Sequence, residues 1–408
     1  MNPTRQIEDI AEEFPILARQ VHGNRLVYLD SAASSQKPVS VLDAMHFVHT
    51  HHYANVHRGL HALSEESTDA YEAVRAKVAG FISAPSPEEI VFTTGATMAL
   101  NLIARSWGET FLSEDDEILI SVADHHANIV PWQMVAAAKG AKLVAAPVNP
   151  DGSVTLDAIT SLITEKTRIV SMPHVSNVLG TVFPIAEIAA AAHAVGAIMI
   201  VDGCQGVVHM PVNVTELGAD FYVFSGHKLY GPGGIGVLWG KMEILETMPP
   251  FLGGGDMIDR VTIESSTYAA PPQRFEAGTP PIVETIGLGA AIDFVESIGM
   301  ATIRDHEQGL LRYAHQKLAA IEGLTLVGTA AGKSGVVSFT MDCAHPHDIS
   351  TIVDRKGVAI RAGHHCAQPL MDFLDLTSTA RASVGVYSRK EDFDCLADSL
   401  LSVRRIFA

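Results

Sequence analysis

Cysteine is scarce. There are four in 408 residues, widely spaced and without a C-x-x-C pair. That argues against a disulfide framework and for a cytoplasmic setting. Positive charge is also short: 28 Lys and Arg stand against 46 Asp and Glu, for a formal net charge of −18. A chain this acidic is a poor partner for nucleic acid or an anionic membrane. No apolar run reads as a membrane span. The longest, Ile185 to Val201, contains Glu187, His193 and Gly196, and reads as an Ala-rich helix leading into the strand AIMIV. The N-terminal stretch MNPTRQIEDIAEEF lacks the apolar core of a signal peptide. Internal repeats and low-complexity linkers are also missing.

What remains is an ordinary globular composition, 47% hydrophobic and 18% charged, in a chain long enough for two domains. Short apolar, β-branched runs recur at 89–94, 117–122, 142–147, 168–172, 197–201, 220–225 and 235–239. Most are continuously apolar, as strands buried on both faces are, and Ala-rich helical segments lie between most of them. The pattern predicts an α/β fold with a seven-stranded, mostly parallel sheet. The last run follows its predecessor after only a glycine-rich turn, so it should be antiparallel. Past about residue 285 the texture becomes α+β. Helices are expected at 304–322, 348–356 and after Tyr387, with strands near 324–327 and 335–341. The expected division is an N-terminal helical segment (1–24) packing on the small domain, a large domain (25–285) and a smaller C-terminal domain (286–408).

Parallel α/β sheets bind ligands at the carboxyl ends of their strands. Polar residues crowd those ends here: Thr94 to Thr97, Asp124 to His126, Ser176-Asn177, Asp202 and Ser225 to Lys228. The glycine string from Gly231 to Gly236 spells G-x-G-x-x-G but leads into a strand, not a helix, so it is no dinucleotide fingerprint. GTAAGKS (328–334) is one residue short of a phosphate-binding loop and reads as an ordinary loop. Lys228, just past a buried strand, is either a solvated rim residue or a Schiff-base amine. Asp202 is either a strand-end cap or the carboxylate that a pyridinium nitrogen requires. TTGAT before a helix offers backbone amides and Thr97 to a phosphate, with Ser225 and His227 as further donors. His125 is placed to stack on a ring. RAGHHCAQP leaves three readings open: a buried structural cysteine, a zinc site, or a reactive Cys366 thiolate in a mobile, electropositive loop.

The motifs LDSAASSQKP, HHANIVPWQ, SNVLGT, VDGCQG, SGHKLYGPGGIG, RFEAGTP, RAGHHCAQPLM and RASVGVYS span nearly the whole chain. Together they resemble the class II, SUF-system type of cysteine desulfurase, a branch of the fold-type I pyridoxal phosphate enzymes in the class V aminotransferase group. The resemblance implies that Lys228 carries pyridoxal 5'-phosphate and that Asp202 holds the pyridinium nitrogen. Gln205 would hold the phenolic oxygen, and His125 would stack on the ring and assist proton transfer. Thr97, Ser225 and His227 would bind the phosphate, with Thr279 reaching it across a homodimer interface. Asn177 and Arg381 would bind the substrate carboxylate, while Arg361, His57 and Arg58 line the entrance. Cys366 would accept sulfur from L-cysteine as a persulfide and pass it to a small acceptor protein for Fe–S cluster assembly. Three positions depart from the pattern: Cys204 replaces the usual alanine, Ala96 a frequent threonine, and Pro281 the usual asparagine.

Two further activities use the same parts, selenocysteine lyase and aminotransferase. A reading from another class is a non-catalytic metal-binding scaffold, with HTHHYANVHRGLH (49–61) supplying histidine ligands.

Overall fold

Seven short strands form the central sheet of the computed structural model, which describes residues 7–407. They are β1 (Ile90–Thr93), β2 (Glu117–Ser121), β3 (Lys142–Ala146), β4 (Thr167–Pro173), β5 (Ile198–Asp202), β6 (Phe221–Ser225) and β7 (Gly236–Gly240). Their order is β1-β7-β6-β5-β4-β2-β3. Only β7 runs antiparallel to its neighbours, as its short glycine-rich connection requires. Side chains alternate between two cores. Tyr222 and Phe224 point to one face while Phe221 and Val223 point to the other. Continuous burial holds for β6 and β7 but fails at the edge, where β3 exposes Lys142 and Ala145.

A second, antiparallel sheet has the order β8-β9-β11-β10, formed from Leu324–Val327 (β8), Val336–Met341 (β9), Arg361–Gly363 (β10) and Thr379–Ser383 (β11). Helices flank the two sheets. Those used below are α1 (Val39–His51), α2 (Ala62–Phe81), α3 (Ala96–Ile103), α4 (Ile282–Ile298), α5 (Met300–Ala319) and α6 (Lys390–Phe407).

Three packing features bear on how the chain divides. Helix α4 lies against α1 and α2, and Leu288, Ile292 and Val295 share the core of the large sheet. A Cβ on its Gly287 would meet Met45, and one on its Gly289 would meet Val74. The axis turns by 75° between α4 and α5, at Gly299. Val27–Tyr28 pairs in parallel with Val358–Ala359, and Leu29 is buried in the core of the small sheet. The first described segment, Ile7–Glu13, is a 3-10 helix, and Phe14 after it packs edge-on against Tyr230, Phe294 and Tyr387. That contact wedges it between both domains; residues 1–6 of the expected N-terminal helix lie outside the described residues. Among the described residues no single helix is long and apolar enough to cross a membrane.

Candidate active site

The carboxyl ends of β5 and β6 and the small-domain loop after β10 enclose a cavity of about 160 Å³. Thr97, His125, Asn177, Asp202, Ser225, His227, Lys228, Arg361, Cys366 and Arg381 all line it. These ten sequence-predicted residues come from segments spread over nearly three hundred positions.

One wall is a helix N-terminus. Ser225 Oγ at the end of β6 accepts from the Ala96 N–H at 2.9 Å, in the first turn of α3. The helix can sit there because Gly236 at the start of β7 has no side chain: a Cβ would lie 2.4 Å from Gly95 Cα. This close approach gives the last glycine of the string its purpose. Thr97 follows one residue on.

The next wall is the end of β5. Asp202 is buried and its Oδ1 accepts from the Cys204 N–H at 3.0 Å. Gln205 is outside the cavity lining, but its Nε2 donates at 2.9 Å to the carbonyl of Ala32, which does line it. Cys204 lines the cavity too, and burial beside the Asp202 carboxylate pushes its thiol up to about 12. Burial, with Lys228 nearby, pushes His125 down to about 4, so the ring is neutral at pH 7. Its Nδ1 accepts from the Ala127 N–H at 3.1 Å, which leaves the proton on Nε2.

Cys366 sits in a left-handed turn. His365 has φ +54° and Cys366 φ +55°, conformations that non-glycine residues adopt only when their surroundings impose them. The surroundings do so from both domains. The His126 N–H donates to the Cys366 carbonyl at 2.7 Å, and Asn177 Nδ2 donates to the His365 carbonyl at 2.7 Å. The Gln368 N–H donates to His126 Nε2 at 3.0 Å, and His365 Nε2 lies 2.9 Å from Thr379 Oγ1. The loop expected to be mobile is therefore tied at four points. His365 in it supplies no charge, because burial pushes its ring down to about 3. The electropositive character comes from arginine instead. Arg361 on β10 pairs directly across from Arg381 on β11.

Like charges in register repel, and an anion between them would relieve it. Arg381 donates to the Asn177 carbonyl at 2.8 Å and to Asp30 at 3.2 Å, and its buried Nε has no partner among the described residues. Burial pushes its guanidinium down to about 10. Asp30 is a site neighbour that sequence reasoning missed: it lies inside LDSAASSQKP but carries no local sign of its partner. His126 is among the expected strand-end residues, but its tie to the Cys366 loop has no local sign either.

Three predicted residues stand elsewhere. Thr279 lines a separate cavity with Tyr71 and Phe92. His57 pairs with Glu72 at 2.8 Å, and Arg58 forms an ion pair with Asp256. The lookalike phosphate loop is a plain loop whose Lys333 is buried and donates to the Gly328 carbonyl. Among the described residues no three His, Cys, Asp or Glu side chains come together as metal ligands.

Residues 27–396 match the family described as aminotransferase class-V. The chain is 51% identical, over 98% of both sequences, to a protein of Halalkalibacterium halodurans named "Probable cysteine desulfurase". A cysteine desulfurase structure from Thermococcus onnurineus superposes with a TM-score of 0.94 at 37% identity, covering all of both chains. The cysteine desulfurase CsdA of Escherichia coli superposes with a TM-score of 0.92 at 38% identity, again over both full chains.

Proposed function

The chain belongs to the aminotransferase class-V family, and from that membership we propose that it is a pyridoxal phosphate-dependent cysteine desulfurase, which turns L-cysteine into L-alanine and keeps the sulfur on Cys366. The observation that carries this reading is the meeting of Lys228, Asp202, His125 and Cys366 in one cavity. A solvated rim lysine or a strand-end cap would have no reason to face a thiol from the other domain.

The residues fit the cofactor. Lys228 is the amine that would hold it, and Asp202 the carboxylate for its ring nitrogen. Ser225, Thr97, His227 and the amides that open α3 form a donor set for its phosphate. Gln205, whose Nε2 reaches the Ala32 carbonyl at the cavity wall, would hold the cofactor's phenolic oxygen, and neutral His125 offers a flat face and one proton on Nε2. When bound, pyridoxal phosphate supplies the electron sink that loosens the substrate's Cα–H bond. Arg381 and Arg361, with the Asn177 side chain, bind the substrate carboxylate. The unpartnered Nε of Arg381 is the donor this role needs. Lys228 and His125 move protons. The Cys366 sulfur attacks the substrate sulfur: the S–S bond forms as the Cβ–S bond breaks, and the carbon fragment takes up a proton and leaves as alanine. The persulfide then passes to a small acceptor protein of the SUF type for Fe–S cluster assembly.

The reading includes a homodimer in which Thr279, His57 and Arg58 serve the neighbouring protomer's site. Leu60 and Ile263, each 99% exposed, are apolar side chains that such an assembly would cover. Four unpaired cysteines fit a cytoplasmic setting.

Borohydride reduction of the cofactor-loaded protein followed by peptide mapping should place the pyridoxyl group on Lys228. L-Cysteine should yield alanine and a persulfide on Cys366. A keto acid product would overturn the reading in favour of an aminotransferase.

A further inference from the structure

The peptide that precedes Lys228 is held to an unusual degree. Its carbonyl, that of His227, lies within hydrogen-bonding distance of four donors, all from the segment 34–37. They are the Ser35 N–H at 3.0 Å, Ser35 Oγ at 3.1 Å, Ser34 Oγ at 3.3 Å and Lys37 Nζ at 3.2 Å. A carbonyl oxygen has two lone pairs, so this one is saturated. Ser35 Oγ also accepts from the Tyr230 N–H at 2.7 Å. Tyr230 has φ +60°, another left-handed non-glycine residue that needs external support. Ser35 thus grips the chain one residue before Lys228 and two residues after it. Lys37 in turn donates to the Ser35 carbonyl, which locks the grip.

Neither Ser35 nor Lys37 lines the cavity, so they act from behind. The segment they belong to is itself fixed to the rest of the site. Asp30 meets Arg381, and the Ala32 carbonyl meets Gln205. Among the described residues the hydrogen-bond partners of the Lys37 ammonium are the Ser35 and His227 carbonyls. Burial alone pushes it down to about 8, and its charge bears on His227 next door.

We propose that Lys37 is a positioning residue for Lys228. Together with Ser35 it fixes the His227–Lys228 peptide and so aims the Lys228 amine. The proposal rests on the reading of Lys228 as the cofactor-bearing lysine.

The test uses Lys37→Met, Lys37→Arg and Ser35→Ala. The rate at which the visible band forms when pyridoxal phosphate is added to the cofactor-free protein reads the aim of Lys228 without any turnover. Lys37→Met should slow that rate and lower kcat, each by about tenfold to a hundredfold, with little change in KM, because the amine is misaimed rather than the substrate site lost. Lys37→Arg, which keeps the donors, should restore most of both. Ser35→Ala removes part of the grip, so both should fall. An unchanged rate and kcat in Lys37→Met would overturn the proposal. So would equal losses in Met and Arg variants that track only their melting temperatures. A borohydride label on a different lysine in the parent protein would instead remove the underlying reading of Lys228, whatever Lys37 does.

Discussion

Replacing Cys366 by alanine separates the two jobs of the site. The thiol is half-buried in a left-handed turn, and alanine tolerates that φ no worse than cysteine does, so the fold and its melting temperature should hold. Lys228, Asp202 and His125 remain, so the visible band of the cofactor-loaded protein should still respond to L-cysteine. The only other thiol that lines the cavity is Cys204. Its pKa of about 12 leaves on the order of 10⁻⁵ of it as thiolate at pH 7, five pH units below. Sulfur transfer through Cys204 should therefore run about five decades below that of a fully ionised thiol in the same place. The assay is alanine release from L-cysteine with a reductant present, alongside mass spectrometry for persulfide. Alanine released at the parent rate, or persulfide found on Cys204, would refute both the assignment of Cys366 and the argument from burial. Raising the pH toward 10 should lift any residual Cys204 activity about tenfold per unit, which identifies its source.

Asp202→Asn is nearly isosteric and can keep an acceptor for the Cys204 N–H, so melting should shift little while turnover falls at least a hundredfold; near-parent turnover would make Asp202 a strand-end cap. Gly236→Ala should cost about 1–3 kcal/mol in stability and weaken cofactor retention, because its Cβ would lie 2.4 Å from Gly95 Cα under the α3 N-terminus; calorimetry and the cofactor absorbance read both. Acid should destabilise the fold early. His125, His174 and His227 are held near 4 and His365 near 3, all below the usual 6.5, so the unfolded chain binds more protons between about pH 6.5 and 4. Stability from these rings is full above pH 6.5 and is lost as pH falls through that window; a melting temperature flat from pH 7 to 4.5 would contradict it. Leu60→Asp combined with Ile263→Asp should give a monomer by light scattering with little activity, and an active monomer would exclude sharing of the site between protomers.

Much of this was legible because it is local. A strand buried on both faces must be continuously apolar, so β1, β2, β4, β5, β6 and β7 could be read directly from the runs. The carboxyl ends of such strands must carry whatever polar chemistry the sheet supports. Hence Thr97, Asp202, Ser225 and Lys228 stand out as candidates by position, although position alone leaves Lys228 and Asp202 with two readings each. The short link between Ser225 and Gly236 fixed the antiparallel direction of β7. Other features had no local sign. The edge strand β3 looked like its neighbours, because exposure depends on what lies beside a strand, not on its own residues. Helix α4 begins at the expected boundary near residue 285, and nothing in its own residues shows the close approach of Gly287 and Gly289 to Met45 and Val74, far away in the chain.

By itself, then, the sequence determined the α/β class, the residue types available for chemistry and the strand ends on which they sit, since these follow from hydrophobic periodicity and turn length. Only the tertiary structure decided which of them act together. The left-handed turn at Cys366 is imposed by Asn177 and His126 from the other domain. The thiol of Cys204 is kept protonated by burial beside Asp202. Lys228 is aimed by Ser35 and Lys37, 193 and 191 residues away along the chain. Hydrogen bonds, desolvation and charge act over a few ångströms of space, and no pattern along one chain records which distant residues folding will bring within that range.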